Sequence, residues 1–259
     1  MAKKQLGQNF LFDPSILRRI VDVSGLTDND LVIEIGPGHG RLTDLLINKA
    51  ERVIAIEIDS YFANQLKERY KEYGNINIVE GDALKFNYNS LPYFKVVANI
   101  PYYITTPIIF NLLKSNKNLI SMTFTLQKEV AKRISAKPNT KDYGALSVAI
   151  QYYGKPEIAF IIPRGAFRPI PKVDSAVIHI EMFKQPPIQV GNEKIFFNIV
   201  KSAFHQRRKT LSNSLKSLIP NVKFFLEKIG IDSMRRGETL SLEEFALISR
   251  EIIKTEIQR

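Results

Sequence analysis

Two short segments, far apart in the chain, carry residue types that can do chemistry together. Asn99-Ile100-Pro101-Tyr102 ends one apolar run, and Glu34-Ile35-Gly36-Pro37-Gly38-His39-Gly40 ends another. The Asn99 side chain offers an amide oxygen that accepts a hydrogen bond. Pro101 has no N–H and a fixed φ, and it pushes Ile100 towards an extended conformation. The Ile100 carbonyl is then free to accept as well. Two such acceptors can take both protons of an exocyclic amino group on a base. The amino nitrogen then leaves the ring plane, and its lone pair turns towards an electrophile. Tyr102 supplies an aromatic face on which the base stacks. These types in this order point to methyl transfer onto an amino nitrogen. A neutral amide suits a cationic donor, because a carboxylate would hold the cation in the ground state. The competing reading is an ordinary proline-containing turn before a helix.

The glycine segment specifies what the donor is. Gly36, Gly38 and Gly40 let the backbone turn tightly and approach a ligand. The dinucleotide fingerprint is GxGxxG, and its last glycine position is Arg41 here. That departure speaks against a dehydrogenase and leaves a nucleoside cofactor without a pyrophosphate. Glu57 ends the next strand about 20 residues on, where an acid accepts from ribose hydroxyls. Asp82, in Gly81-Asp82-Ala83-Leu84, follows the third strand and can accept from an adenine amino group. Alone, Asp82 reads better as a turn or N-cap aspartate. Three consecutive strand ends presenting Gly36, Glu57 and Asp82 favour one site, and the donor expected there is S-adenosylmethionine.

A scaffold must bring these ends together. Leu31–Ile35, Val53–Glu57, Ile76–Val79, Lys95–Ala98 and Ile120–Thr125 read as strands, while 41–48, 61–70, 107–113 and 126–135 read as helices. Such alternation implies an α/β fold with a doubly wound, parallel, Rossmann-like sheet. Ligands then bind at the carboxyl ends of the strands. The β-rich stretches 157–162 and 173–182 are expected to close the sheet as an antiparallel pair. Lys184-Gln185-Pro186-Pro187 breaks the pattern. Beyond it 194–218, 222–229 and 242–253 read as helices. Ser241-Leu242-Glu243-Glu244 resembles a capping box before the last. The expected organisation is a catalytic domain over 1–184 and a small all-helical domain over 185–259.

Bulk composition narrows the partners. The formal net charge of +11 favours polyanions through phosphate contacts and counterion release. No run approaches the roughly 20 apolar residues of a membrane span. With no cysteine and three histidines lacking metal-ligand spacing, no metal site is expected. A cytoplasmic location is the default expectation. If 197–218 forms one helix, Val200, Phe204, Leu211, Leu215 and Leu218 share an apolar arc. Lys201, Arg208, Lys209 and Lys216 then share an outward arc suited to RNA phosphates, and Arg207 falls on the apolar side.

The chain resembles the ribosomal RNA adenine N6,N6-dimethyltransferases over nearly its whole length. The resemblance rests on Gly7-Gln8-Asn9-Phe10-Leu11, Glu34-Ile35-Gly36-Pro37-Gly38, Asn99-Ile100-Pro101-Tyr102, Leu126-Gln127-Lys128-Glu129-Val130, Tyr143-Gly144-Ala145-Leu146-Ser147-Val148, Pro171-Lys172-Val173-Asp174-Ser175-Ala176-Val177 and Gln206-Arg207-Arg208-Lys209-Thr210-Leu211. It is strongest to the bacterial small-subunit branch, which dimethylates two adjacent adenosines near the 3′ end of 16S rRNA. The resemblance implies that Gln8, Asn9, Leu11, Gly36, Gly38, Glu57, Asp82 and Asn99 line the S-adenosylmethionine site. It also implies that Phe167 is a second aromatic opposite Tyr102, sandwiching a flipped base. For Tyr102 the ring, not the hydroxyl, is the part assigned. The implied partner is 16S rRNA within a small-subunit precursor, met by a monomer. Ile100 stands where the small-subunit branch usually has Leu, so the large-subunit resistance branch is the alternative. A non-enzymatic assembly factor is the other, and the intact Asn-Ile-Pro-Tyr argues against it.

Overall fold

The structure, a computed structural model, describes residues 9–114, 117–206 and 208–257. The first compact unit holds the described residues up to Ala131 together with Lys155–Lys184, and the second holds Lys132–Gly154 and the described residues from Gln185 on. The expected division at 184/185 placed 132–154 with the first domain, whereas that segment belongs to the second unit.

In chain order the elements are β1 (Phe10–Leu11), α1 (Pro14–Val23), β2 (Leu31–Ile35), α2 (Thr43–Leu46), β3 (Arg52–Glu57), α3 (Ser60–Arg69), β4 (Ile76–Glu80), β5 (Phe94–Asn99), α4 (Thr105–Lys114), β6 (Leu119–Gln127) and α5 (Lys128–Ile134). There follow α6 (Ala145–Tyr153), β7 (Gly154–Ile162), β8 (Phe167–Arg168), β9 (Ser175–Met182), α7 (Glu193–His205), α8 (Leu211–Ser214), α9 (Val222–Lys228) and α10 (Leu242–Ile257).

Seven strands form one sheet in the order β4-β3-β2-β5-β6-β9-β7. From β4 to β6 the pairing is parallel, and β9 returns antiparallel to β6. β2 is buried along its whole length, as a parallel strand covered on both faces must be. At the edge, β7 alternates between covered and exposed residues, which suits a strand with one wet face. The chain leaves β2 towards β3 on one side and reaches β5 on the other. The crevice at the carboxyl ends of β2 and β5 is therefore the topological switch point.

Three elements absent from the sequence reading bear on the site. α1 starts where Asp13 caps the N–H groups of Ser15 and Ile16 and Pro14 supplies a preset φ. Its Leu17, Ile20 and Val21 recur at helical spacing and join Leu46, Val97, Phe167 and Val177 in one core. β1 pairs antiparallel with β8, Phe10 opposite Arg168 and Leu11 opposite Phe167. Two-residue strands carry no periodic signal, so the pattern could not reveal them.

The second unit builds its own core from Val148, Tyr152, Phe196, Ile199, Val200, Leu211, Leu226 and Phe245 among others. The single helix expected over 194–218 is not formed. α7 stops at His205, and Gln206 takes a non-helical φ of −126° and ψ of 82°. The N–H of Leu211 donates to the Arg235 carbonyl at 2.7 Å, and that of Ser212 to the Ser233 carbonyl at 3.0 Å. Those backbone donors bond to a neighbouring loop instead of to the preceding helical turn, so α8 starts afresh. Leu218, expected on the apolar arc, is 39% exposed.

The capping box is present. Ser241 N–H donates to Glu244 Oε2 at 2.8 Å, and Glu244 N–H donates to Ser241 Oγ at 3.2 Å. Ser241→Ala should lower the unfolding free energy by about 0.5–2 kcal/mol, the usual cost of losing such a cap. Denaturant unfolding checks this, and an unchanged midpoint would show that α10 is held by packing alone.

Candidate active site

One crevice at the switch point gathers most of the expected residues. Asn9, Gly36, Gly38, Glu57, Asp82, Asn99, Ile100, Pro101 and Tyr102 all line it, and it is partly open to solvent. Gln8 lies outside the described residues. Leu11 is buried and borders a smaller hollow that shares Phe10, Gly36 and Asn99 with the crevice.

Glu57 is 2% exposed at the end of β3. Its Oε2 accepts from the Gly38 N–H at 3.0 Å and its Oε1 from the Asp59 N–H at 2.9 Å. Burial raises its pKa, and these backbone donors oppose the rise. Each oxygen keeps a lone pair for a hydroxyl donor. Half-buried Asp82 accepts from the Leu84 N–H at 2.9 Å and likewise keeps acceptor capacity. The glycines have separate tasks. A Cβ on Gly36, at φ +71°, would project to within 3.8 Å of Pro101 Cδ, into the space between the turn and the tetrapeptide. A Cβ on Gly38 would meet the Phe10 ring at 2.7 Å, so Gly38 is bare to admit that ring. A cradle opened by Gly36, with two carboxylates at its far strand ends, fits an adenosyl group.

Asn99 ends β5 half-buried, and its Nδ2 donates to the Asn9 carbonyl at 3.1 Å. Only the nitrogen can make that bond, so the contact orients the amide and leaves Oδ1 as an acceptor. The turn bonds of the tetrapeptide use the Pro101 carbonyl, which accepts from Ile104 N–H at 3.1 Å and Thr105 Oγ1 at 3.4 Å. The Ile100 carbonyl stays outside that bonding. Tyr102 is half-buried, and its hydroxyl lies 2.6 Å from Ser175 Oγ. Burial raises the Tyr102 pKa and the Ser175 bond lowers it in part.

Two expectations change here. Phe167 does not line the crevice: its ring is fully buried in the core with Leu11, Leu17 and Val177. Its pairing with Leu11 through β1 and β8 draws it inward. The Tyr102 hydroxyl, assigned no task from sequence, is engaged. Sequence reasoning also missed Tyr103, 56% exposed on the rim, and Thr125, which lies opposite Asn99 in the β5–β6 register. Thr125 Oγ1 is buried without a hydrogen-bond partner among the described residues. The adjacency of Tyr103 to the tetrapeptide was a usable signal, whereas a threonine within a buried strand offers none.

Among the described residues no cluster of three potential ligands could hold a metal, and no helix is long and apolar enough to cross a membrane. In the second unit Lys201, Lys209 and Lys216 line one open groove with Asn198, Ser202, His205 and Asn213. Arg208 is exposed but does not line it, and Arg207 lies outside the described residues. None of these four described cations forms a salt bridge among the described residues.

A doubly wound sheet with this glycine turn, these strand-end carboxylates and this tetrapeptide defines an S-adenosylmethionine-dependent methyltransferase. A sequence model described as ribosomal RNA adenine dimethylase matches residues 1–254, and the chain belongs to that family. It is 50% identical over 266 residues to the ribosomal RNA small subunit methyltransferase A of Listeria welshimeri, spanning 96% of this chain and 90% of that protein. The protein of the same name from Clostridium acetobutylicum is 46% identical, over 97% of this chain and 94% of its own. Among solved structures, a dimethyladenosine transferase from Plasmodium falciparum superposes with a TM-score of 0.84 at 28% identity, covering 95% of this chain and 98% of that one. The 23S rRNA methyltransferase ErmE gives a TM-score of 0.74 at 27% identity, covering 95% and 100%.

Glu34, in β2, is a second buried carboxyl. It is 1% exposed, and its Oε2 accepts from Thr43 Oγ1 at 2.6 Å. Burial pushes it up to about 8, the Thr43 bond opposes the shift, and Glu57 and Asp44 add to it. The folded state thus holds this proton more tightly than the unfolded chain does. The resulting stability is complete below the ordinary glutamate range and is lost as pH rises through about 8. Glu34→Gln keeps the acceptor and removes the titration. Its melting temperature relative to wild type should climb between pH 5 and pH 8.5 in calorimetry, and a constant offset would contradict this account.

Proposed function

We propose that the protein transfers methyl groups from S-adenosylmethionine to N6 of two adjacent adenosines near the 3′ end of 16S rRNA, acting as a monomer on a small-subunit precursor in the cytoplasm. The observation that carries the chemistry is the Asn99 amide, oriented by the Asn9 carbonyl with its oxygen left to accept. The choice of small-subunit rRNA is supported by the names of relatives at 46–50% identity, against 27% for the large-subunit enzyme.

When bound, S-adenosylmethionine supplies an electrophilic methyl group on a sulfonium. Glu57 accepts from the ribose hydroxyls and Asp82 from the adenine amino group. Asn99 Oδ1 accepts one proton of the target amine, and the Ile100 carbonyl accepts the other. Together they draw N6 out of the base plane and direct its lone pair outward. The Tyr102 ring gives the base a stacking face. In the second round the monomethylated amine still has one proton, and either acceptor can hold it.

Asn99→Ala should lower turnover on undermethylated 30S subunits by about 100–1000-fold, on the scale of losing one transition-state hydrogen bond. Affinity for the subunits, read by filter binding, should fall far less than turnover does. Near-wild-type turnover would remove Asn99 from the chemistry.

The groove of Lys201, Lys209 and Lys216 is the proposed RNA-docking face. Phosphate contacts of this kind position RNA without reading its sequence. Lys201→Glu with Lys209→Glu should weaken subunit binding and flatten its salt dependence by about 0.7–0.9 of a log–log unit per lost contact. Reversal of Arg208, outside the groove, should do less. Equal effects from the two changes would place the docking face elsewhere.

A further inference from the structure

The crevice holds its aromatic face by a bond that comes from two strands away. Tyr102 sits in the turn that follows β5, and Ser175 opens β9. β6 lies between those strands. At the usual strand spacing the phenol therefore reaches across about 10 Å of sheet. Its hydroxyl meets Ser175 Oγ at 2.6 Å, a good O–H···O distance.

The two ends of this bond differ in rigidity. Ser175 is fully buried and paired with Gln127 at the end of a continuous β6–β9 ladder. Its neighbour Asp174 is tied twice more: its carbonyl accepts from Lys128 N–H at 3.0 Å, and its Oδ1 accepts from Arg164 N–H at 3.0 Å. Tyr102 lies between two short regular elements, in a turn closed by the Ile104 N–H to Pro101 carbonyl bond. A phenol on a turn can swing about χ1 and χ2 unless its tip is held. A stacking face must be in place before the base arrives, because a free ring loses rotamer entropy on capture.

We infer that Ser175 is a positioning residue for methyl transfer: its hydroxyl anchors the Tyr102 phenol so that the ring stands ready as the stacking face for the target base. This rests on the function proposed above. Ser175 touches no reacting atom and acts only through Tyr102. The hydroxyl of Tyr102 matters because it reaches this anchor, while the ring does the stacking.

The bond can be cut from either end. Ser175→Ala, Tyr102→Phe and the double variant would be assayed with a 16S 3′-end RNA carrying 2-aminopurine at the target position, whose fluorescence is quenched on stacking, and with undermethylated 30S subunits. Each single change should reduce quenching and lower kcat/KM about 3–10-fold, the range of one ordinary hydrogen bond. The double variant should be no worse than the poorer single, since both remove the same bond. Ser175→Thr, which keeps a hydroxyl and suits a strand, should stay within about twofold of wild type. S-adenosylmethionine affinity should be unchanged throughout. Wild-type capture and turnover in either single variant, or effects that multiply in the double, would overturn the inference. Should Ser175→Ala fail to fold, Tyr102→Phe alone decides, because it removes the bond from the half-exposed side. Failure of the wild-type protein itself to methylate the subunits would instead refute the proposed function.

Discussion

The proposed chemistry depends on the orientation of one amide. The Asn99 nitrogen donates to the Asn9 carbonyl, and that bond fixes which way the amide presents its oxygen. A main-chain carbonyl cannot rotate away as a side chain can. Its position is set by β1, which is set in turn by antiparallel pairing with β8. Leu11 and Phe167 seal that pairing from the core side, both almost wholly buried. The first described residues therefore orient the amide on which the proposed chemistry rests, although they lie outside the parallel sheet. Phe10 contributes as well: its ring fills the space left by the missing Cβ of Gly38, and the His39 ring lies tilted against it at 4.5 Å.

Two carboxyls near this turn show how burial separates tasks. Burial raises the Glu57 pKa too, but backbone N–H groups, those of Gly38 and Asp59 among them, favour its charged form and hold the rise back. Glu34 has a single hydroxyl partner and is deeper, so burial wins and its pKa climbs to about 8. Glu34, with its pKa near 8, is held largely neutral at neutral pH and so adds little negative charge behind the crevice.

The parallel strands were legible because each is a short apolar run bounded by turn residues, and their ends carry Gly36, Glu57, Asp82 and Asn99 in plain view. The crevice collects all four. What could not be read had a physical reason. β1 and β8 are two residues long and have no period. α6 is apolar nearly all round, with six of its residues buried, so it shows no helical stripe. The break between α7 and α8 leaves the 3.6-residue apolar pattern almost intact, yet the backbone donors of Leu211 and Ser212 find long-range partners. Periodicity records which side chains go inside, not where the backbone bonds go. Phe167 was misplaced for a related reason: the type of a loop aromatic does not say whether it faces ligand or core.

The break in the helix has a consequence for docking. On one straight helix Lys201 and Lys216 would be separated by about four turns and some 22 Å along the axis. With α7 ended at His205 and the chain restarted at Leu211, those lysines and Lys209 border a single groove. Three unneutralised cations around one concavity focus potential more than the same charges strung along a rod. The groove is also lined by neutral donors and acceptors, Asn198, Ser202 and Asn213, which can follow a phosphate chain without adding repulsion. The same buried leucines would have been satisfied by a straight helix. What the interrupted one adds is the convergence of charge that the proposed docking face uses, and the backbone bonds to Ser233 and Arg235 hold that geometry.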